Sequence, residues 1–152
     1  MTDVLNNRLL FELECEIGVP IDAGDPGGGV RRCIPLFGGH FSGDINGELV
    51  PGGTDWQTVL PNGTIELSAH YALRTDRGEH IEVQSIGVHH IPPDVMAQLA
   101  RGERVPPDAY YFRTHMRFRT GAPALARFNP MLAVSMGARR SNRVRLRVFE
   151  VL

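Results

Sequence analysis

The sequence contains no lysine; all sixteen of its basic residues are arginine. A lysine Schiff base and a P-loop lysine are therefore excluded. Cysteine is scarce as well. Cys15 and Cys33 form no CxxC pair and offer no zinc framework. Both lie in apolar patterns, so buried free thiols in a reducing compartment, the cytoplasm, are the expectation. The six histidines (His40, His70, His80, His89, His90 and His115) include no HxH pair, and no metal site or other cofactor is expected. The formal net charge is -1, which argues against nucleic acid and acidic membranes as partners. No apolar run approaches the length needed to span a membrane. The first residues, MTDVLNN, have neither the basic nor the apolar region of a signal peptide. Gly27-Gly28-Gly29 is not followed by a helical pattern and does not fit a phosphate loop.

What the sequence has instead is a period of two. In LFELECEI, Phe11, Leu13, Cys15 and Ile17 share one face and Glu12, Glu14 and Glu16 the other, the pattern of a half-buried strand. TIELSAHYALRT places Leu67, Ala69, Tyr71 and Leu73 against Glu66, Ser68, His70 and Arg74. HIEVQSIGVHH, YYFRTHMRFRT, LAVSMGA and RVRLRVFEV read in the same way. RRCIPLF and HFSGDINGELVPGG read as short strands interrupted at Gly38-Gly39 and Gly43, and VPIDAGDPGGGV reads as a long flexible loop. Asn62-Gly63 and Asp76-Arg77-Gly78 mark hairpin turns. One short helix is expected after Pro92-Pro93, with Asp94 in its first turn and Gly102 just past its end. Eight or nine short antiparallel strands with no βαβ repeat predict one domain over 1–152. The expected fold is all-β, a closed antiparallel barrel of about eight strands, with a two-sheet sandwich as the alternative.

The segments GVRRCIPLFGGHFSG, LVPGGTDWQ, ALRTDRGEHIEV, PPDVMAQLARGE, YYFRTHMRFRTGAP and RVFEV, in that order, resemble the domain of unknown function 3237 family, also called uncharacterised protein family 0311. The resemblance runs from about Phe11 to Leu152. It implies an eight-stranded barrel similar to the allene oxide cyclase and dirigent barrels, often self-associating, and no settled reaction. The chain departs from the family pattern at Ser68-Ala69-His70-Tyr71, where Asp-Ala-Arg-Tyr is usual. It departs again at His89, Ile91 and Arg127-Phe128. These changes imply a pocket altered in shape or polarity.

Each candidate site residue has a functional and a structural reading. Asp55 beside Trp56, the single tryptophan, is a candidate general base or acid at the barrel mouth with an indole wall, or else a turn residue beside an aromatic plug. Tyr71 faces inward and is either a donor to a substrate oxygen or a core tyrosine. His89 shares the face of Ile81, Val83 and Ser85 and is either an acid–base group or a satisfied core histidine. Arg113 either holds a substrate carboxylate, or fixes Asp55, or is solvated with Arg117 and Arg119 opposite Glu12, Glu14 and Glu16. Of Arg31 and Arg32 only one can face inward, and Arg32 is the candidate. Phe112 and Met116 are expected to shape the pocket wall, and Asn129 is a further substrate-binding candidate.

The leading expectation is a cofactor-independent acid–base enzyme acting on a hydrophobic small molecule, as isomerase, cyclase or lyase. A non-catalytic small-molecule-binding barrel and a structural oligomer with a filled barrel are the alternatives. A homodimer is the expected assembly.

Overall fold

The computed structural model describes residues 3–152. Nine strands follow one another: β1 (Asn7–Ile17), β2 (Ile21–Gly24), β3 (Val30–Gly43), β4 (Gly47–Val59), β5 (Ile65–Thr75), β6 (His80–His90), β7 (Tyr111–Arg119), β8 (Ala133–Arg140) and β9 (Arg143–Val151). The sheet order is β1-β9-β8-β7-β6-β5-β4-β3-β2, and β1 also pairs with β3. That last pairing closes eight strands into an antiparallel barrel and leaves β2 as an extra strand on the rim of β3. Closure removes the unpaired edges that an open sheet would expose. The one α-helix, α1 (Pro93–Ala100), links β6 to β7, and 3-10 turns occupy Pro107–Ala109 and Pro123–Phe128.

Alternation decides which side chains enter the barrel. In β5, Ile65, Leu67, Ala69, Tyr71, Leu73 and Thr75 are buried while Glu66, Ser68, His70 and Arg74 are exposed. The same rule holds through β6, and in β1 from Phe11 onward, past a register shift that leaves Leu10 and Phe11 both buried. Two sequence expectations need correction. β3 is a single strand of 14 residues that bends, with a register shift between Pro35 and Gly39, rather than two strands broken by glycine. The glycine-rich segment after Val19 also contains β2, all of whose residues are exposed.

Gly39 is where the barrel closes. A Cβ there would lie 1.8 Å from the backbone oxygen of Glu14 on the facing strand. Only a residue without a side chain lets β1 and β3 approach so closely. One end of the interior is sealed by aromatic rings. Phe11 lies 5.4 Å from Phe41 and 6.2 Å from Phe118, and Phe118 meets Phe128 edge-on at 5.6 Å. Phe128 is delivered by the Pro123–Phe128 turn.

On the outside, the acidic face of β1 is matched by β9. Glu14 accepts from Arg143 at 2.8 Å and lies 3.6 Å from Arg145, and Glu12 lies 3.5 Å from Arg147. The partners of these glutamates are thus the β9 arginines and not Arg113, Arg117 or Arg119, because β9 and not β7 is the neighbour of β1. Such exposed pairs contribute little each and chiefly fix register.

Candidate functional site

The end of the barrel away from the phenylalanine cluster contains a cavity of about 70 Å³. Apolar residues such as Leu13, Ile34, Leu49 and Leu67 line it, and polar groups intrude from five strands: Asp55 and Gln57 (β4), Tyr71 (β5), Ser85 and His89 (β6), Thr114 (β7) and Arg139 (β8). One water needs roughly 10–15 Å³ at least, so the space admits ordered water or a compact apolar body.

Asp55 and Gln57 are two residues apart on β4, so both point inward. Gln57 donates to Asp55 Oδ2 at 2.7 Å and accepts from Arg32 Nε at 2.8 Å. Burial pushes the Asp55 carboxyl up to about 6, against the opposing pull of the Gln57 amide, the Ser68 backbone N–H and the Arg32 and Arg139 charges. Asp55 makes no ion pair within 4.0 Å among the described residues. Gln57 therefore stands between the carboxylate and the nearer guanidinium as a neutral bridge.

His89 is 3% exposed. Its ring stacks on Phe112 at 4.4 Å and lies 5.5 Å from Tyr110. Burial, with the positive fields of Arg139 and Arg32, lowers the imidazole to about 4, so it is neutral near pH 7. Gly137 makes this stack possible. A Cβ at that inward position would sit 2.6 Å from the Phe112 ring. Tyr71 is buried, and burial raises its phenol so that it stays protonated. Cys15 also lines the cavity, but burial raises its thiol to about 11, which leaves it a thiol and not a nucleophilic thiolate.

Three side-chain atoms share one property. Asp55 Oδ1, Tyr71 Oη and His89 Nε2 are buried and lack a hydrogen-bond partner, and they are the only such side-chain N or O atoms among the described residues. All three belong to residues lining this cavity. The neighbouring hydroxyls are satisfied: Ser85 donates to Thr114 at 2.9 Å, and Thr114 meets Ser135 at 2.5 Å. A buried polar atom left unpaired costs about 1–3 kcal/mol, and three such atoms here share one cavity.

The remaining sequence candidates divide. Phe112 lines the cavity, and Arg32 is partly buried and reaches the site through Gln57. Arg31 turns outward, donating to Thr58 at 3.0 Å with its guanidinium 5.3 Å from the Trp56 ring centre. Trp56 follows Asp55 in an extended strand and so faces the opposite way; it is 42% exposed and forms no wall of the cavity. Arg113 lies between inward Phe112 and Thr114 and also points out. It donates to the Phe112 carbonyl at 2.8 Å and covers Tyr111, and it neither lines the cavity nor contacts Asp55. Met116 is fully buried but packs in the core away from the cavity lining. Asn129 follows the turn that seals the opposite end, where it exchanges hydrogen bonds with the Thr120 backbone at 2.8 and 3.0 Å.

The sequence reading missed Gln57, Arg139 and the Ser85–Thr114–Ser135 hydroxyl chain. Gln57 was within reach, since it lies two residues from Asp55. Arg139 lay beyond the expected end of the LAVSMGA strand, and Gly137 hid the inward row Ser135, Gly137, Arg139.

The chain is 40% identical to a UPF0311 protein of Rhodopseudomonas palustris over the full length of both. It is 35% identical to one of Clostridium acetobutylicum, covering 97% of this chain and 94% of the relative. A crystal structure of a Rhodopseudomonas palustris conserved protein of unknown function superposes with a TM-score of 0.91 at 39% identity, with both chains fully covered. An enzyme from Penicillium herquei matches at a TM-score of 0.75 and 19% identity, covering 100% of this chain and 98% of that one, which shows a shared fold alone. A family model described as protein of unknown function (DUF3237) matches residues 6–151, and with these relatives it establishes that the chain belongs to that family.

Proposed function

We propose that the protein is a cofactor-independent acid–base enzyme that moves a proton on a compact, largely apolar small molecule bound in the barrel, as in isomerisation, cyclisation or elimination. The observation that carries this reading is the convergence of three partnerless polar atoms, Asp55 Oδ1, Tyr71 Oη and His89 Nε2, on one cavity. A solidly filled barrel would have no such space beside Asp55, and a passive carrier has no need of a carboxyl tuned to about 6.

Above that pH Asp55 is ionised and serves as the base. It takes a proton from a carbon next to a carbonyl. The C–H electron pair becomes part of a new C=C bond, and the carbonyl pair moves onto oxygen. The phenol of Tyr71 and a neutral N–H of His89 donate to the developing oxyanion without giving up their protons. Protonated Asp55 then returns the proton to the same carbon or to another. Apolar walls exclude water and strengthen each of these contacts. Buried free Cys15 and Cys33 favour a reducing compartment, the cytoplasm. The outward residues Ile86, Val88, Tyr111 and Met136 on β6, β7 and β8 favour self-association as a dimer.

The test uses proton exchange, which needs no knowledge of the product. Wild-type protein in D2O is expected to accelerate deuterium incorporation next to the carbonyl of some members of a panel of small apolar ketones, followed by NMR. The rate should rise with pH through about 6 and then level off. Asp55→Asn should lower it by roughly 10²-fold or more. An equal rate in the variant removes Asp55 from the chemistry.

A further inference from the structure

Four arginines are partly buried: Arg31, Arg32, Arg113 and Arg139. Three of them have an acceptor, in Thr58, Gln57 and the Phe112 carbonyl respectively. Arg139 alone has none for its side chain among the described residues, although it lines the cavity. Its position is held by the backbone, whose N–H donates to the Tyr110 hydroxyl at 3.0 Å. Arg32 uses only Nε, on a neutral amide, which leaves both terminal nitrogens of its fork free of hydrogen bonds.

Arg139 at the cavity wall and Arg32 behind Gln57 thus make no ion pair within 4.0 Å among the described residues. They are close enough to oppose each other's charge, and burial lowers the pKa of both. An uncompensated, partly desolvated cation is unfavourable in a folded protein unless an anion arrives to meet it. With Asp55 ionised, these three groups sum to one net positive charge, the complement of a monoanion; Asp22, which faces Arg32 from the exposed strand β2, lies outside the cavity lining. A phosphate dianion would overshoot that charge. The apolar lining and the small volume, about 70 Å³, call for a compact hydrocarbon body attached to the anion.

We propose that the ligand of this cavity is a small carboxylic acid whose carboxylate is held by Arg139, with Arg32 beside it, while its apolar part fills the space below. The planar fork of Arg139 suits a carboxylate, which it can engage with two parallel hydrogen bonds. This inference rests on the reading of the cavity as a substrate site, and it adds the chemical class of the substrate. It also gives Arg139 a role in substrate positioning.

The test compares benzoate with benzamide, which has the same shape and no charge, by titration calorimetry near pH 7. Wild-type protein should bind benzoate at least about tenfold more tightly, and Arg139→Met should abolish that preference by weakening benzoate far more than benzamide. Should Arg139→Met melt early, Arg139→Lys carries the test: it keeps the charge and loses the fork, and it should weaken benzoate binding selectively. Equal affinity for the two probes overturns the proposal, as does no benzoate binding at millimolar concentration or a benzoate preference that survives in both variants. Asp55→Asn separates this inference from the acid–base reading. It should bind benzoate as well as wild type or better, because a nearby negative charge is gone. Benzoate bound through Arg139, together with proton exchange indifferent to Asp55, would uphold the anion site and remove only the base. Asp55-dependent exchange without a carboxylate preference would overturn only the anion site.

Discussion

Replacing Asp55 with asparagine should make the protein more stable near neutral pH and leave it almost unchanged in acid. In the fold the carboxyl titrates at about 6, against 3.8 for an unperturbed aspartate. Between these values the folded state binds more protons than the unfolded state, so stability falls as pH rises through the window. Below it both states are protonated and the side chain contributes no difference. Above it the ionised carboxylate costs the fold ~3 kcal/mol, at 1.36 kcal/mol for each tenfold change in proton affinity. Asparagine keeps the shape and the acceptor for Gln57 but carries no charge. For a chain of this size ~3 kcal/mol corresponds to a rise in Tm of about 6–12 °C near pH 7. The assay is thermal unfolding of both proteins by circular dichroism at pH values from about 4 to 8. Parallel curves across that range would refute the idea that Asp55 is a desolvated carboxyl held ready as a base. A variant less stable at pH 7 than at pH 4, relative to wild type, would refute it more strongly, because Asp55 would then be a stabilising ion-pair partner.

Two further outcomes follow from the barrel geometry. Gly39→Ala should cost ~3 kcal/mol or more in urea unfolding, because the new methyl group meets the Glu14 backbone at the β1–β3 seam and neither strand can retreat without opening the barrel; a loss below about 1 kcal/mol would show the seam to be loose. Trp56→Phe and Arg113→Ala should each change stability by no more than about 1 kcal/mol and leave benzoate affinity as it was, since both side chains face outward; a tenfold loss of binding in either would return them to the site.

Much of the architecture was legible in the sequence because a strand with one buried face writes its orientation in every second residue. Leu67, Ala69, Tyr71 and Leu73 declared their side, and so did His89 through Ile81, Val83 and Ser85. The same logic, applied strictly, would have turned Trp56 away from Asp55 and Arg113 away from Phe112. Both were drawn toward the site by chemical suitability, which alternation overrides. β2 was hidden because a strand exposed along its whole length carries no alternation to read. Asn129 was equally opaque, since its place at the sealed end depends on the 3-10 turn that precedes it.

The sequence by itself determined most of the strands, their inward faces and the absence of lysine chemistry, all of which are properties of composition or of neighbouring residues. Only the tertiary structure decided that β1 closes on β3, that aromatic rings fill one end and leave the other hollow, and that Asp55, Tyr71, His89 and Arg139 meet there. Those residues come from four strands spread over much of the chain, and their encounter depends on barrel register. The shifted protonation of Asp55 and His89 depends on burial, and burial does not exist until the barrel is closed.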